Sequence, residues 1–202
     1  MCSEPWLVRW GRILPGNPGL GVDLLARYRE PSRSYHDLGH LENVLTAVIS
    51  LRAEAADIEA VQLAAWFHDA VYDVHSQDNE EQSARLAEGT LTVAGLVPTL
   101  VAEVCRLVRL TESHDPGPDD ANGAVLCDAD LAVLASDPAG YAEYVAKVRT
   151  EYAHLGDARF ASGRARVLRQ LLGLPRLFHT VAGHQRWEAT ARANLTAELA
   201  AL

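Results

Sequence analysis

The run Ala64-Ala65-Trp66-Phe67-His68-Asp69-Ala70-Val71-Tyr72-Asp73 decides how the chain reads. It is rich in Ala and large apolar residues, a composition that favours helix. It also carries an adjacent imidazole and carboxylate in what read as its last turns. An ionisable pair in so apolar a setting is costly unless something compensates it. A divalent cation is one such compensation, because neutral imidazole and carboxylate are good ligands for borderline and hard metals. A His-Asp dipeptide alone is a weak signal, and its meaning depends on what flanks it.

Upstream, Tyr35-His36-Asp37-Leu38-Gly39-His40 opens an expected helix, starting near 35 or 37 and reaching about 55. Leu41, Val44, Leu45, Val48 and Leu51 form its buried stripe. His36 and His40 are four apart, which places them on one face about 5–6 Å apart if the first turn is helical. Downstream, Cys127-Asp128-Ala129-Asp130-Leu131 falls in an expected helix over 122–136. Asp128 and Asp130 are two apart and point to different faces of that helix. His40, His68, Asp69 and Asp130 thus each sit on an expected helix among apolar neighbours. Four such groups need one another or an ion.

The rest of the chain reads as helix punctuated by turns. Trp6, Leu7, Trp10, Ile13 and Leu14 make one apolar face over 3–14, and Pro15-Gly16-Asn17-Pro18-Gly19 ends it. Further helices are expected over 20–30, 58–72 with Asp57 as N-cap, and 79 to about 91 or 94 with acids in the first turn. Pro98 opens another to about 110, and a polar segment from Thr111 to Asp120 contains His114. Pro138 follows the cap Asp137 and starts a helix to about 154. Two more run from Asp157 to near Pro175 and over 184–201. β-branched residues form no alternating runs. The expectation is one all-α domain over 1–202, a bundle of roughly eight to ten helices. Its metal-binding core would span about 35–135, with C-terminal helices over about 138–201 packed on it.

Composition limits the function. Hydrophobic content is 49% and the net charge is −9, so a nucleic acid polymer or an anionic membrane is an improbable partner. Almost all positive charge is Arg, with Lys147 the one lysine. Arg suits bidentate phosphate contacts, although a GC-rich genome also produces this bias. Cys2, Cys105 and Cys127 form no CxxC pair, and core packing is the default for the latter two. No basic region precedes an apolar core at the N-terminus, and no apolar run reaches spanning length, so the expected location is cytoplasmic.

The order His40, then His68-Asp69, then Asp130 resembles the HD superfamily of metal-dependent phosphohydrolases, in particular a bacterial subgroup of predicted HD phosphohydrolases. Tyr35 to His40 also resembles the start of the cyclic nucleotide phosphodiesterase signature, with Asp37 where those enzymes have Asn. Tyr35–Val44, Ala65–Asp73, Asp78–Ala84, Asp128–Leu134, Arg149–Tyr152 and Ala191–Leu195 carry the likeness. It implies an all-α HD-like fold and metal ligation by His40, His68, Asp69 and Asp130, with Asp130 favoured over Asp128 by the Asp-Ala-Asp pattern. It also implies His36 and Asp69 as catalytic residues, His36 as proton donor to the leaving oxygen. The expected activity is hydrolysis of a small phosphate ester, monoester or diester, with a nucleotide as the favoured substrate, by attack of metal-bound hydroxide. Mn²⁺, Co²⁺, Ni²⁺, Fe²⁺ and Mg²⁺ all suit the ligand set. A homodimer is compatible with this reading.

Around that core, Arg33, Asp73, His114 and Arg149 are candidate substrate contacts. Arg33 lies close before His36. Arg149 is embedded in an apolar helix, where it either pairs with an acid or binds substrate. Asp73 lies four after Asp69 and either orients a ligand or serves as a helix-end acid. His114 is either a site residue or a solvent histidine. Glu80 and Glu81 suit the start of their helix, with one of them able to face the site. Two other functions compete: an HD-type di-iron oxygenase, for which only His75 and His114 offer extra ligands, and a catalytically silent nucleotide-binding protein.

Overall fold

The computed structural model describes residues 4–202; Cys2 and the expected helix start at residue 3 lie outside the described residues. Ten α-helices follow one another, and no strand occurs among the described residues. They are α1 Glu4–Ile13, α2 Pro18–Arg27, α3 Leu38–Leu51, α4 Ile58–Phe67 and α5 Asn79–Val93. The second half holds α6 Pro98–Leu110, α7 Ala121–Leu131, α8 Pro138–Glu151, α9 Asp157–Gly173 and α10 Val181–Ala201. No helix among the described residues is long and apolar enough to cross a membrane.

The caps expected from sequence hold the helix starts. Asp57 accepts from the Ala60 amide, and Asp137 from the Gly140 amide at 2.8 Å, just before Pro138. Asp37 closes the N-terminus of α3 by accepting from the Gly39 and His40 amides. His36 therefore lies one residue before the cap and not in the first turn.

α4 is buried on nearly every side, as an all-apolar helix must be. It packs on α3, α6 and α7, and α3 packs on α7. Trp66 of α4 meets Trp6 and Trp10 of α1 edge-on, with ring centroids 5.8 and 5.2 Å apart. This larger cluster gathers residues from Trp10 to Ala129. A second, smaller cluster joins Leu134, Tyr141, Leu168, Leu177, Phe178, Ala191 and Leu195. Trp187 packs against both clusters and makes the bundle continuous.

Candidate metal centre

α4 ends at Phe67, so His68 and Asp69 lie just beyond the helix and not in its last turns as expected from sequence. Arg33 explains the early stop. Its side chain is fully buried, and its guanidinium donates to the carbonyls of Asp69 at 2.6 Å, Ala70 at 3.3 Å and His36 at 3.2 Å. Carbonyls at a helix end need partners, and Arg33 supplies them while tying His36 to the His68-Asp69 turn. Arg33 thus holds the backbone of the site, and its guanidinium is not free for substrate.

The turn sends His68 and Asp69 toward His40 from α3 and Asp130 from α7. Nε2 of His40 and Nε2 of His68 are 3.0 Å apart. Oδ1 of Asp130 lies 3.1 Å from the first and 3.6 Å from the second. Ligand atoms of His40, His68 and Asp130 all lie within 4.8 Å of one another, so this buried cluster can hold a metal ion. Oδ2 of Asp69 is 3.2 Å from His40 Nε2 and 3.0 Å from His68 Nε2. The donors fit a cation in a further respect. Nδ1 of His68 is 2.9 Å from the Ala65 carbonyl, a contact that keeps the proton on Nδ1 and the Nε2 lone pair inward.

Charge balance points the same way. Burial by itself lowers the basicity of His40, but the Asp130 and Asp69 carboxylates overcome it and push the imidazole up to about 10. His68 is raised too, against burial, by the charges of Asp69 and Asp130. Burial works against both carboxylates as anions, yet the histidines, His68 first, hold Asp69 and Asp130 well below the usual range. The cluster therefore holds protons at neutral pH that a cation must displace.

Asp128, two residues earlier, faces the other way. Its carboxylate accepts from the amides of His179 and Thr180 at 2.7 and 2.8 Å and from the Thr180 hydroxyl at 2.6 Å. It anchors the start of α10, where a Cβ at Gly183 would collide with it.

His114 does reach the site. Its Nε2 is 2.8 Å from Asp130 Oδ2, on a backbone with φ of 50°, a left-handed conformation that costs a non-glycine residue about 1 kcal/mol or more. Asp73 does not: it is exposed and accepts from the His75 amide at 2.9 Å. Arg149 also lies elsewhere, donating to the Tyr152 and Leu155 carbonyls and to Asp157 at 2.7 Å, with its cation over the Phe160 ring. Neither lines the cavity, and each has a local partner within ten residues; for Arg149 this is the acid pairing that was one of its two expected alternatives.

Sequence reasoning missed Glu151. One oxygen accepts the Ser34, Tyr35 and His36 amides at 3.0–3.1 Å, and the other sits 2.7 Å from His36 Nδ1. Tyr72, also missed, donates to that second oxygen at 3.0 Å and stacks on the His36 ring. Burial opposes ionisation of Glu151, but His36 and the amides hold it down to about 2. A signal was present: on α8, Tyr141, Tyr144, Val148 and Glu151 share a face at helical spacing, and an acid in an apolar stripe asks for a partner. Glu80 of α5 also lines the site.

The cluster forms one end of a cavity of about 500 Å³ that runs toward α8 and α9. Comparison of the chain with protein-family models, curated proteins and solved structures found no match.

Proposed function

We propose that the protein is a metal-dependent phosphohydrolase acting on a small phosphate ester. The observation that carries this reading is the cluster of His40, His68 and Asp130, with the Asp69 carboxylate against both imidazoles, at the end of a cavity and beside a histidine held by Glu151. Those four side chains would hold the cation. A divalent metal there supplies Lewis acidity and lowers the pKa of water toward about 7.

The chain's own residues do the rest. His36 is held through Nδ1 by Glu151, which leaves Nε2 for the cavity. A water adds to phosphorus, the bond to the leaving oxygen breaks, and His36 donates the proton that turns the leaving alkoxide into an alcohol. The Glu151 carboxylate holds the imidazole oriented for that donation. Tyr72, stacked on the ring, fixes its plane. Inorganic phosphate is the second product.

The test is phosphate release by purified protein reconstituted separately with Mn²⁺, Co²⁺, Ni²⁺, Fe²⁺ and Mg²⁺, against alkyl, aryl and sugar phosphates and nucleotides. Release that depends on metal and disappears in Asp69→Ala supports the proposal. Release that survives Asp69→Ala, or none with any metal, refutes it.

His114 on Asp130 favours one second reading, a two-metal centre, including the di-iron oxygenase. Two irons per chain, with oxygen uptake and no phosphate release, would establish it.

A further inference from the structure

We infer that the substrate is the phosphate monoester of an apolar alcohol, with its alkyl or aryl group housed in the half of the cavity between the 3₁₀ turn Ala132–Ala135, α8 and α9. This rests on the phosphohydrolase reading for the chemistry, and on the cavity wall for the identity of the leaving group.

The cavity has two chemically different ends. One holds the metal cluster, His36, His114 and Glu80. The other is walled by Leu131, Leu134, Val148, Phe160, Val167 and Leu171. Phe160, Gly163, Arg164, Val167 and Leu171 recur at helical spacing, so one face of α9 is turned to this space. An apolar wall in contact with water is stabilised by an apolar ligand that replaces the water.

Few groups in the wall would read a nucleotide; away from the metal end, the Tyr35 and Tyr152 hydroxyls and Arg166 are the ones with no hydrogen bond to another side chain described above. No asparagine, glutamine, serine or lysine lines the cavity among the described residues. Arg164 is spent on Glu198 at 2.7 and 2.9 Å and on the Tyr144 hydroxyl. Tyr72 is committed to Glu151, and Thr111 to the Val108 carbonyl. A nucleobase would find stacking surface but no amide pair for its edge. A polyphosphate would need several cations. Beyond the metal, the cavity offers Arg166, exposed and without an ion pair among the described residues. A single phosphoryl group at the metal end with a greasy leaving group meets both conditions.

Gly163 makes the idea testable without damage to the core. It lines the cavity, and a Cβ built there meets nothing within 4 Å. A leucine at this helical position fills the space and is a better helix former than glycine.

The experiment is calorimetric titration of the Mn²⁺-loaded protein with methyl-, butyl- and octylphosphonate and with AMP, each in wild type and Gly163→Leu. Phosphonates are not hydrolysed, so binding is read apart from turnover. Each buried methylene is expected to tighten binding about fourfold. A gap of about a hundredfold or more between methyl- and octylphosphonate that shrinks at least tenfold in Gly163→Leu supports the inference. Affinity independent of chain length, AMP binding tighter than octylphosphonate, or no binding of any phosphonate overturns it; the wild-type series alone suffices if the variant misfolds. Chain-length-dependent binding with no ester hydrolysed would sink the phosphohydrolase reading and keep the apolar chamber.

Discussion

The two hydrophobic clusters are built on different principles. The larger one, from Trp10 to Ala129, is a continuous apolar interior in which α4 is wrapped by α1, α3, α6 and α7. The smaller one is framed by carboxylates. Glu198 binds Arg164 and the Tyr141 hydroxyl, Glu188 accepts the Leu177 and Phe178 amides, and Asp128 accepts those of His179 and Thr180. The metal-ligand candidates hang on the first, and the outer wall of the cavity belongs largely to the second. A ligand set needs side chains held to fractions of an ångström, which dense packing provides. A wall that selects by shape tolerates a smaller core.

Each prediction either separates the two regions or joins them. The largest effect is expected in the small cluster. Glu198→Ala strands the Arg164 guanidinium, whose side chain is only 8% exposed, and should cost about 3–5 kcal/mol in chemical denaturation. Metal affinity should change less than about threefold; abolished metal binding would show that the regions are not separable. Asp130→Ala reverses the pattern: metal affinity should fall more than about 100-fold by competitive chelator titration.

Glu151→Ala bridges the regions, because it frees three amides and His36 at once. A loss of about 3 kcal/mol is expected. The sign with pH follows from the lowered value: the contribution is present above 4.5 and is lost as pH falls toward about 2, so wild type and variant should converge in stability under strong acid.

His40 gives the opposite sign. Without metal its value is raised from 6.5 to about 10, so its ion pairs stabilise fully below 6.5 and are lost as pH rises through about 10. Metal must displace that proton. Apparent metal affinity should rise steadily from pH 6 to 9, with proton release in calorimetry run in two buffers of different ionisation heat. The smallest effect is Arg149→Ala, whose partner Asp157 is 96% exposed; the cost should stay below about 1 kcal/mol with metal binding unaltered.

Helix positions were readable in the chain because the signals are local. Pro98, Pro138 and Asp57 mark starts that the structure keeps, and the apolar spacing on α3 matches its buried face. The choice between Asp128 and Asp130 was half-readable: two residues on a helix diverge, but which one faces the histidines depends on where α7 lies against α3. The roles of Arg33 and Arg149 were not readable. An arginine beside a candidate site looks the same in sequence whether it meets substrate or backbone carbonyls.

Periodicity, caps and breakers act within a few residues, so the all-helical bundle and the list of metal-competent side chains followed from the chain alone. Convergence is a different matter. Glu151 reaches Ser34, Tyr35 and His36 across more than a hundred residues, and Arg33 ends a helix that begins 25 positions later. Such partnerships depend on how helices cross in space, and local composition carries no record of them. The pairing of the metal-competent cluster with apolar α9 side chains in one cavity has the same origin, since it depends on α8 and α9 lying beside the site.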